Sequence, residues 1–161
     1  MKRFVLRPIV LVFAFLSMAI SAFGQSNTTN NKNNRQMEKS TMKLKIEGGR
    51  TFTATLVDNS STKALKELLA KGDITVHMED YASMEKVGSL GTSLPRNDRP
   101  TTTSAGDLIL YQGHNLVLYY DVNSWNFTRL GKIEGVSGKE LLDALGRGDV
   151  TITLSMDADN E

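Results

Sequence analysis

Cysteine is absent from the 161 residues of this chain. The chain therefore cannot form disulfides, bind zinc through thiolates, carry out thiol catalysis or accept a lipid at a cysteine. Histidine is scarce, since only His77 and His114 occur, and a histidine-rich metal site is excluded. A small domain without these devices must be stabilised by the burial of its apolar side chains.

Motifs that bind nucleotides or supply a catalytic serine are also missing. The chain has no Gly-x-Gly-x-x-Gly, no phosphate-binding P-loop and no Gly-x-Ser-x-Gly. Residues 77–80 read His-Met-Glu-Asp, but consecutive residues of a strand point to opposite faces, which argues against a metal site there. The sequence predicts neither a metal nor a cofactor.

The first 24 residues have the three parts of a cleavable signal peptide. Lys2, Arg3 and Arg7 form a basic start, residues 8–20 are apolar, and small residues precede a cleavage point before Gln25. An uncleaved membrane anchor is the rival interpretation, but as a helix the apolar run would extend about 20 Å, which is shorter than the hydrocarbon core of about 30 Å. We therefore expect export to the periplasm or the medium, with membrane contact only through the transient signal peptide.

Cleavage would change the net charge of the protein. It removes three of the 19 basic residues and none of the 18 acidic ones, so the net charge falls from +1 to about −2. Such a chain lacks the basic surface that nucleic acids require. Residues 25–41 are polar and predict a disordered tether, residues 42–156 predict one domain, and residues 157–161 predict an acidic tail.

The domain shows mainly strand patterns. Alternating or β-branched segments predict strands over 42–47, 51–57, 73–78, 107–111, 115–121, 128–134 and 149–154. Residues 81–87 predict a further extended segment, and residues 88–106 predict a long connection. Helices are expected after Asp58 or Asn59 and over 137–145. The segment from Ser61 to Val76 is echoed 76 residues later. The pattern favours a mainly β fold, a closed barrel of about eight strands with two short capping helices.

Five segments, taken in order, resemble the bacterial cyclophilin-like domains. They are Leu56-Val57-Asp58-Asn59, Glu85-Lys86-Val87-Gly88, Leu94-Pro95, Ala105-Gly106-Asp107-Leu108 and Arg129-Leu130-Gly131-Lys132-Ile133. The resemblance covers nearly all of residues 42–155 and implies the cyclophilin-type barrel with a helix over each opening. True cyclophilins isomerise prolyl bonds with an arginine in a Phe-His-Arg stretch, which this chain lacks. The fold alone does not carry the activity.

Four residues are candidates for ligand binding. Glu85 lies beside the long connection, Tyr111 and Trp125 supply aromatic surface, and Arg129 lies in the last resemblance motif. Trp125 stands in a polar stretch that reads as a loop. An exposed ion pair at Glu85 and core packing of the aromatic residues are the plainer interpretations.

These observations favour a non-catalytic module that binds a small molecule or a peptide. A divergent peptidyl-prolyl isomerase is the alternative, and Arg129 would then be its electrostatic catalytic residue. A second alternative is a structural component of an envelope assembly. The sequence leaves the choice between them open.

Overall fold

The computed structural model describes residues 40–156 of the chain. The predicted signal peptide, nearly all of the predicted tether and the predicted acidic tail lie outside these residues. Within them no helix is both long and apolar enough to cross a membrane. The elements are β1 Thr41–Ile46, β2 Thr51–Leu56, α1 Ser60–Leu69, β3 Ile74–Tyr81, β4 Glu85–Ser89, β5 Arg99–Thr102, β6 Asp107–Tyr111, β7 Asn115–Tyr119, β8 Ser124–Ile133, α2 Gly138–Leu145 and β9 Val150–Met156.

Eight of the nine strands in residues 40–156 form a closed antiparallel barrel. Their order is β2-β1-β9-β3-β4-β7-β6-β8, and the ring closes where Leu56 of β2 pairs with Gly131 of β8. Closure leaves no unpaired edge within the ring. The predicted fold class is therefore confirmed. The ninth strand, β5, pairs only with the first half of β8, from Ser124 to Phe127.

The barrel interior is filled by side chains from alternate positions of each strand. On β1 these are Met42, Leu44 and Ile46, each at most 4% exposed. Leucines from α1 and α2 join the same cluster. A continuous apolar core of this kind supplies the main stabilisation of a domain without disulfides.

The two helices cover opposite ends of the barrel. Asn59 caps α1 by accepting a hydrogen bond from the Thr62 amide, and Ser137 caps α2 through Glu140. The α1 end of the barrel holds the start of β3 and the residue after β4, Leu90. The α2 end holds the opposite termini, because Gly138 abuts the Tyr120 carbonyl just after β7. Because β4 and β7 are antiparallel, the end of β4 and the end of β7 lie at opposite ends of the barrel.

The internal echo of the sequence corresponds to a symmetric strand pair. Val76 of β3 lies opposite Ile152 of β9, and the register runs symmetrically on either side of this pair. The two residues are 76 positions apart, which is the offset of the echo. The helices match less closely, because the caps are Asn59 and Ser137 rather than Ser61 and Ser137.

Three glycines of the resemblance motifs lie where strands approach closely. A Cβ atom on Gly88 would clash with the His77 carbonyl, and one on Gly131 would clash with the Thr55 carbonyl. Gly106 faces the Ile133 carbonyl in the same way and also has a positive φ of 90°. Only a residue without a side chain fits such positions.

The structure corrects three local predictions. The predicted 88–106 connection contains β5, and β8 begins at Ser124 rather than Thr128, so Trp125 is a strand residue and not a loop residue. The segment 81–87 is interrupted by a tight turn at Ala82 and Ser83. Strand β5 carries Pro100 and depends on pairing with β8, which local propensity does not report.

Candidate functional site

Strands β6 and β7 carry apolar side chains on both faces. Leu108 and Leu110 of β6 point into the barrel, while Ile109 between them belongs to a second cluster on the outer face. On β7, Val117 and Tyr119 face outward in the same way. A sheet with one solvated face alternates apolar and polar residues. This part of the barrel therefore has an unusual apolar outer surface.

A cavity of about 360 Å³ lies on this outer surface. Its volume falls at the lower end of the range for small-molecule sites. Its lining combines five aromatic rings and one valine with one acid and two amides, contributed by Tyr81, Glu85, Val87, Tyr111, Asn115, Tyr119, Asn123, Trp125 and Phe127. An apolar concavity with a few convergent polar groups is the usual form of a binding site.

Glu85 forms the buried polar part of the lining. Glu85 is 8% exposed, and Oε2 of its carboxylate has no hydrogen-bond partner within residues 40–156. Burial raises the pKa of Glu85, while hydrogen bonding with the Tyr119 hydroxyl opposes that rise. No other side-chain polar atom in the described chain is buried without a partner. Glu85 is therefore an exception to the rule that buried polar groups are satisfied.

The aromatic lining has a packed floor and an exposed rim. Phe127 packs against Tyr119 and Tyr111, with ring centroids 5.7 and 6.4 Å apart. Tyr81 and Trp125 form the rim and are 62% and 66% exposed. Large aromatic side chains exposed beside a cavity are typical of contact surfaces.

The Tyr119 hydroxyl links the acid to the β7–β8 connection. It accepts a hydrogen bond from Asn123 Nδ2 at 3.2 Å, and the backbone of Asn123 is held by Thr103. Burial and the neighbouring Glu85 carboxylate both raise the pKa of Tyr119. The phenol therefore stays protonated and can donate a hydrogen bond toward Glu85.

The structure brings three of the four predicted ligand-binding residues together. Glu85, Tyr111 and Trp125 come from three strands and line the same cavity. Arg129 lies on the same face of β8 as Phe127 but does not line the cavity. Its guanidinium forms an ion pair with the carboxylate of Asp107, which is 1% exposed.

Asp107 connects two of the resemblance motifs, residues 105–108 and residues 129–133. It accepts a hydrogen bond from the Ser104 amide at 2.8 Å, pairs with Arg129, and lies 3.7 Å from Lys132 Nζ. The ion pair joins β6 to β8 and fixes the turn before β6. Arg129 thus neutralises a buried acid, which is a structural role.

Sequence reasoning did not single out five residues of the lining, Tyr81, Asn115, Tyr119, Asn123 and Phe127. One signal was available. Residues 108–110 and 116–119 are continuously apolar or aromatic, and strands with one solvated face would alternate. The lack of alternation indicates burial on both faces, but it does not show which strands are neighbours.

A larger cavity of about 610 Å³ lies beside α2. Acids dominate its polar lining, and its histidine, His77, is hydrogen-bonded to Thr151 at 3.0 Å. It contains no buried unpaired polar side chain among the described residues. The cavity at Glu85 is the stronger candidate because it combines aromatic walls with an unsatisfied buried acid.

Comparison with known families agrees with the barrel topology. A family model described as the Cyclophilin-like family matches residues 44–155, which is well over half of the chain. The chain belongs to the cyclophilin-like family. The resemblance inferred from the motifs is therefore confirmed. Neither the curated proteins nor the solved structures that were compared gave a match.

Within this cyclophilin-like domain the shared motifs have mostly structural roles. Gly88, Gly106 and Gly131 allow close strand contacts, and Asp107 with Arg129 forms the buried ion pair. Glu85 differs from them because its carboxylate lacks a full set of partners. Trp125, Asn115 and Asn123 line the cavity but lie outside these motifs.

Proposed function

We propose that this cyclophilin-like protein is exported and binds a small molecule or a short peptide in the cavity at Glu85. One observation carries the proposal. A buried carboxylate oxygen without a partner lies in an aromatic-lined cavity that is open at Tyr81 and Trp125. A ligand that donates a hydrogen bond to this oxygen would remove the energetic penalty of its burial.

The penalty is large enough to matter. A buried polar atom without a partner costs about 1–3 kcal/mol, a considerable fraction of the stability of a small domain. The other charged groups buried with Glu85 in the described chain, Lys86 and Asp107, both have hydrogen-bond partners. The exception at Glu85 thus coincides with the cavity, as expected for a binding site.

Export is supported by the signal-peptide pattern of residues 1–24. It predicts that the protein isolated from an extracytoplasmic fraction begins at Gln25. N-terminal sequencing after cell fractionation tests this. Recovery of the chain with Met1 in the cytoplasmic fraction would contradict it.

Binding can be followed through Trp125, which is the only tryptophan in the sequence. The full exported chain is isolated from its own cells, examined by native mass spectrometry for a bound compound, and then screened by Trp125 fluorescence. We expect to find a compound whose binding is lost in Trp125→Ala and retained in Glu67→Gln. The second variant is the control, because it changes an exposed helix residue at the α1 end. The proposal fails if no compound co-purifies and none shifts the fluorescence.

The alternative of a divergent prolyl isomerase depends on Arg129. A catalytic arginine needs access to the substrate, and the ion pair with Asp107 holds this one against β6. A protease-coupled proline-peptide assay decides between the two functions. Turnover that is lost in Arg129→Lys, a change that preserves the positive charge beside Asp107, would favour the isomerase. A structural envelope role would instead appear as a stable protein partner on purification.

A further inference from the structure

We propose that the ligand of the Glu85 cavity carries a protonated amine, which pairs with the Glu85 carboxylate and contacts the surrounding aromatic rings. This inference rests on the proposed binding function and names the chemical class of the ligand. The shared chemistry is an alkylammonium group, whether it belongs to a free amine or to a lysine side chain of a peptide.

The charge of Glu85 is not balanced by the protein. No lysine or arginine within residues 40–156 forms an ion pair with it. Lys86, the next residue, points into the barrel, where its Nζ contacts Asp80 and the Gly148 carbonyl at 2.7 Å each. Arg129 is bound to Asp107. A buried carboxylate is costly unless a cation pairs with it, so the missing cation is a natural ligand group.

The cavity walls favour a cation as well. Tyr81, Tyr111, Trp125 and Phe127 present aromatic rings to the same space. Aromatic faces carry negative charge density and attract ammonium groups, and tryptophan does so most strongly. Acid and aromatic rings together make a site for an alkylammonium group, because each part stabilises the same charge.

The polar groups of the cavity disfavour an anion. A carboxylate or phosphate would lie near Glu85 and be repelled. The two amides of the lining, Asn115 and Asn123, are neutral and supply no positive charge to offset this repulsion. A neutral donor would satisfy Oε2 but would leave the charge of Glu85 without a partner.

Protonation of Glu85 offers a competing outcome. Because burial raises its pKa, a neutral acid could donate a hydrogen bond to a ligand carbonyl instead. A ligand series that varies only the head group separates these outcomes. The series consists of 2-phenylethylamine, 2-phenylethanol and 3-phenylpropanoate. N-acetyl-lysine methylamide is tested beside this series as a peptide-like amine.

The experiment titrates each compound into the full exported chain near neutral pH and follows Trp125 fluorescence. We expect 2-phenylethylamine to bind at least about tenfold more tightly than 2-phenylethanol, and 3-phenylpropanoate not to bind. In Glu85→Gln the advantage of the amine over the alcohol should disappear, while Glu67→Gln should retain it. Tighter binding of N-acetyl-lysine methylamide than of 2-phenylethylamine would indicate a peptide source for the amine.

The outcomes distinguish this inference from the proposed function. If the alcohol or the carboxylate binds as well as the amine, the cationic class is refuted while the cavity remains a binding site. If neither amine binds at millimolar concentration, the cationic class is refuted and the wider ligand screen decides the function. An amine preference that survives in Glu85→Gln would also overturn the assignment of Glu85 as the partner.

Discussion

Replacing Glu85 with glutamine should stabilise the protein at neutral pH. Glutamine preserves the shape of the side chain and an acceptor for the Tyr119 hydroxyl, but it removes the buried negative charge. A buried unpaired polar atom costs about 1–3 kcal/mol, and the new amide also needs partners in the cavity, so the net gain should be about 1 kcal/mol. For a domain of this size that corresponds to a rise in Tm of about 4 °C.

The gain should depend on pH in a defined direction. Burial raises the pKa of Glu85 above the ordinary value of 4.5, so the folded state binds this proton more tightly than the unfolded state. Glu85 therefore does not weaken the fold below pH 4.5, and its penalty develops as the pH rises through the elevated pKa. The difference between Glu85→Gln and the unaltered protein should vanish in acid and reach its full size at neutral pH.

Urea unfolding followed by far-UV circular dichroism at about pH 4 and about pH 7 measures both quantities. Glu67→Gln is the control, because it makes the same chemical change at an exposed position and should have no effect beyond about 0.5 kcal/mol at either pH. A loss of stability in Glu85→Gln at pH 7 would show that the carboxylate is satisfied in solution. An equal gain at both pH values would show that its charge is not the cause.

Three further variants test the barrel. Lys86→Met leaves Asp80 without its cation and should lower the free energy of unfolding in urea by about 3 kcal/mol at neutral pH. Because the ion pair lowers the pKa of Asp80, this loss of stability should shrink as the pH falls below 3.8. A loss of stability that acid leaves unchanged would contradict this. Gly131→Ala places a methyl group against the β2 backbone where the barrel closes and should cost about 2 kcal/mol or more, whereas unchanged stability would refute the close approach. Ala82→Asn with Ser83→Gly matches the positive φ angles of 51° and 53° in the β3–β4 turn and should raise Tm by a few degrees, while a lower Tm would argue against that turn geometry.

The fold followed from the sequence to a large extent. The alternation in residues 42–47, the caps at Asn59 and Ser137, and the ordered family motifs all reflect short-range chemistry that a sequence displays directly. Strand β5 was missed, because Pro100 and a polar composition give it little strand propensity of its own. Its existence depends on pairing with β8, which no local pattern specifies.

The candidate site was predictable only in part. Glu85, Tyr111 and Trp125 stood out by residue type and by position in the sequence, and they line one cavity. Arg129 stood out for the same reasons but pairs with Asp107 instead. Glu85 and Arg129 both lie in motifs, so the sequence did not separate a ligand contact from a structural ion pair.

The amino-acid sequence alone excluded disulfides and indicated the mainly β pattern, the two capped helices and the family. Each of these depends on residue type or on spacing within a short segment. Tertiary structure decided that β4, β6, β7 and β8 are neighbours, that their outer face is apolar, and that Glu85 is buried there with one oxygen unpaired. Burial and pairing depend on residues far apart in the chain, and barrel closure is what brings those residues together.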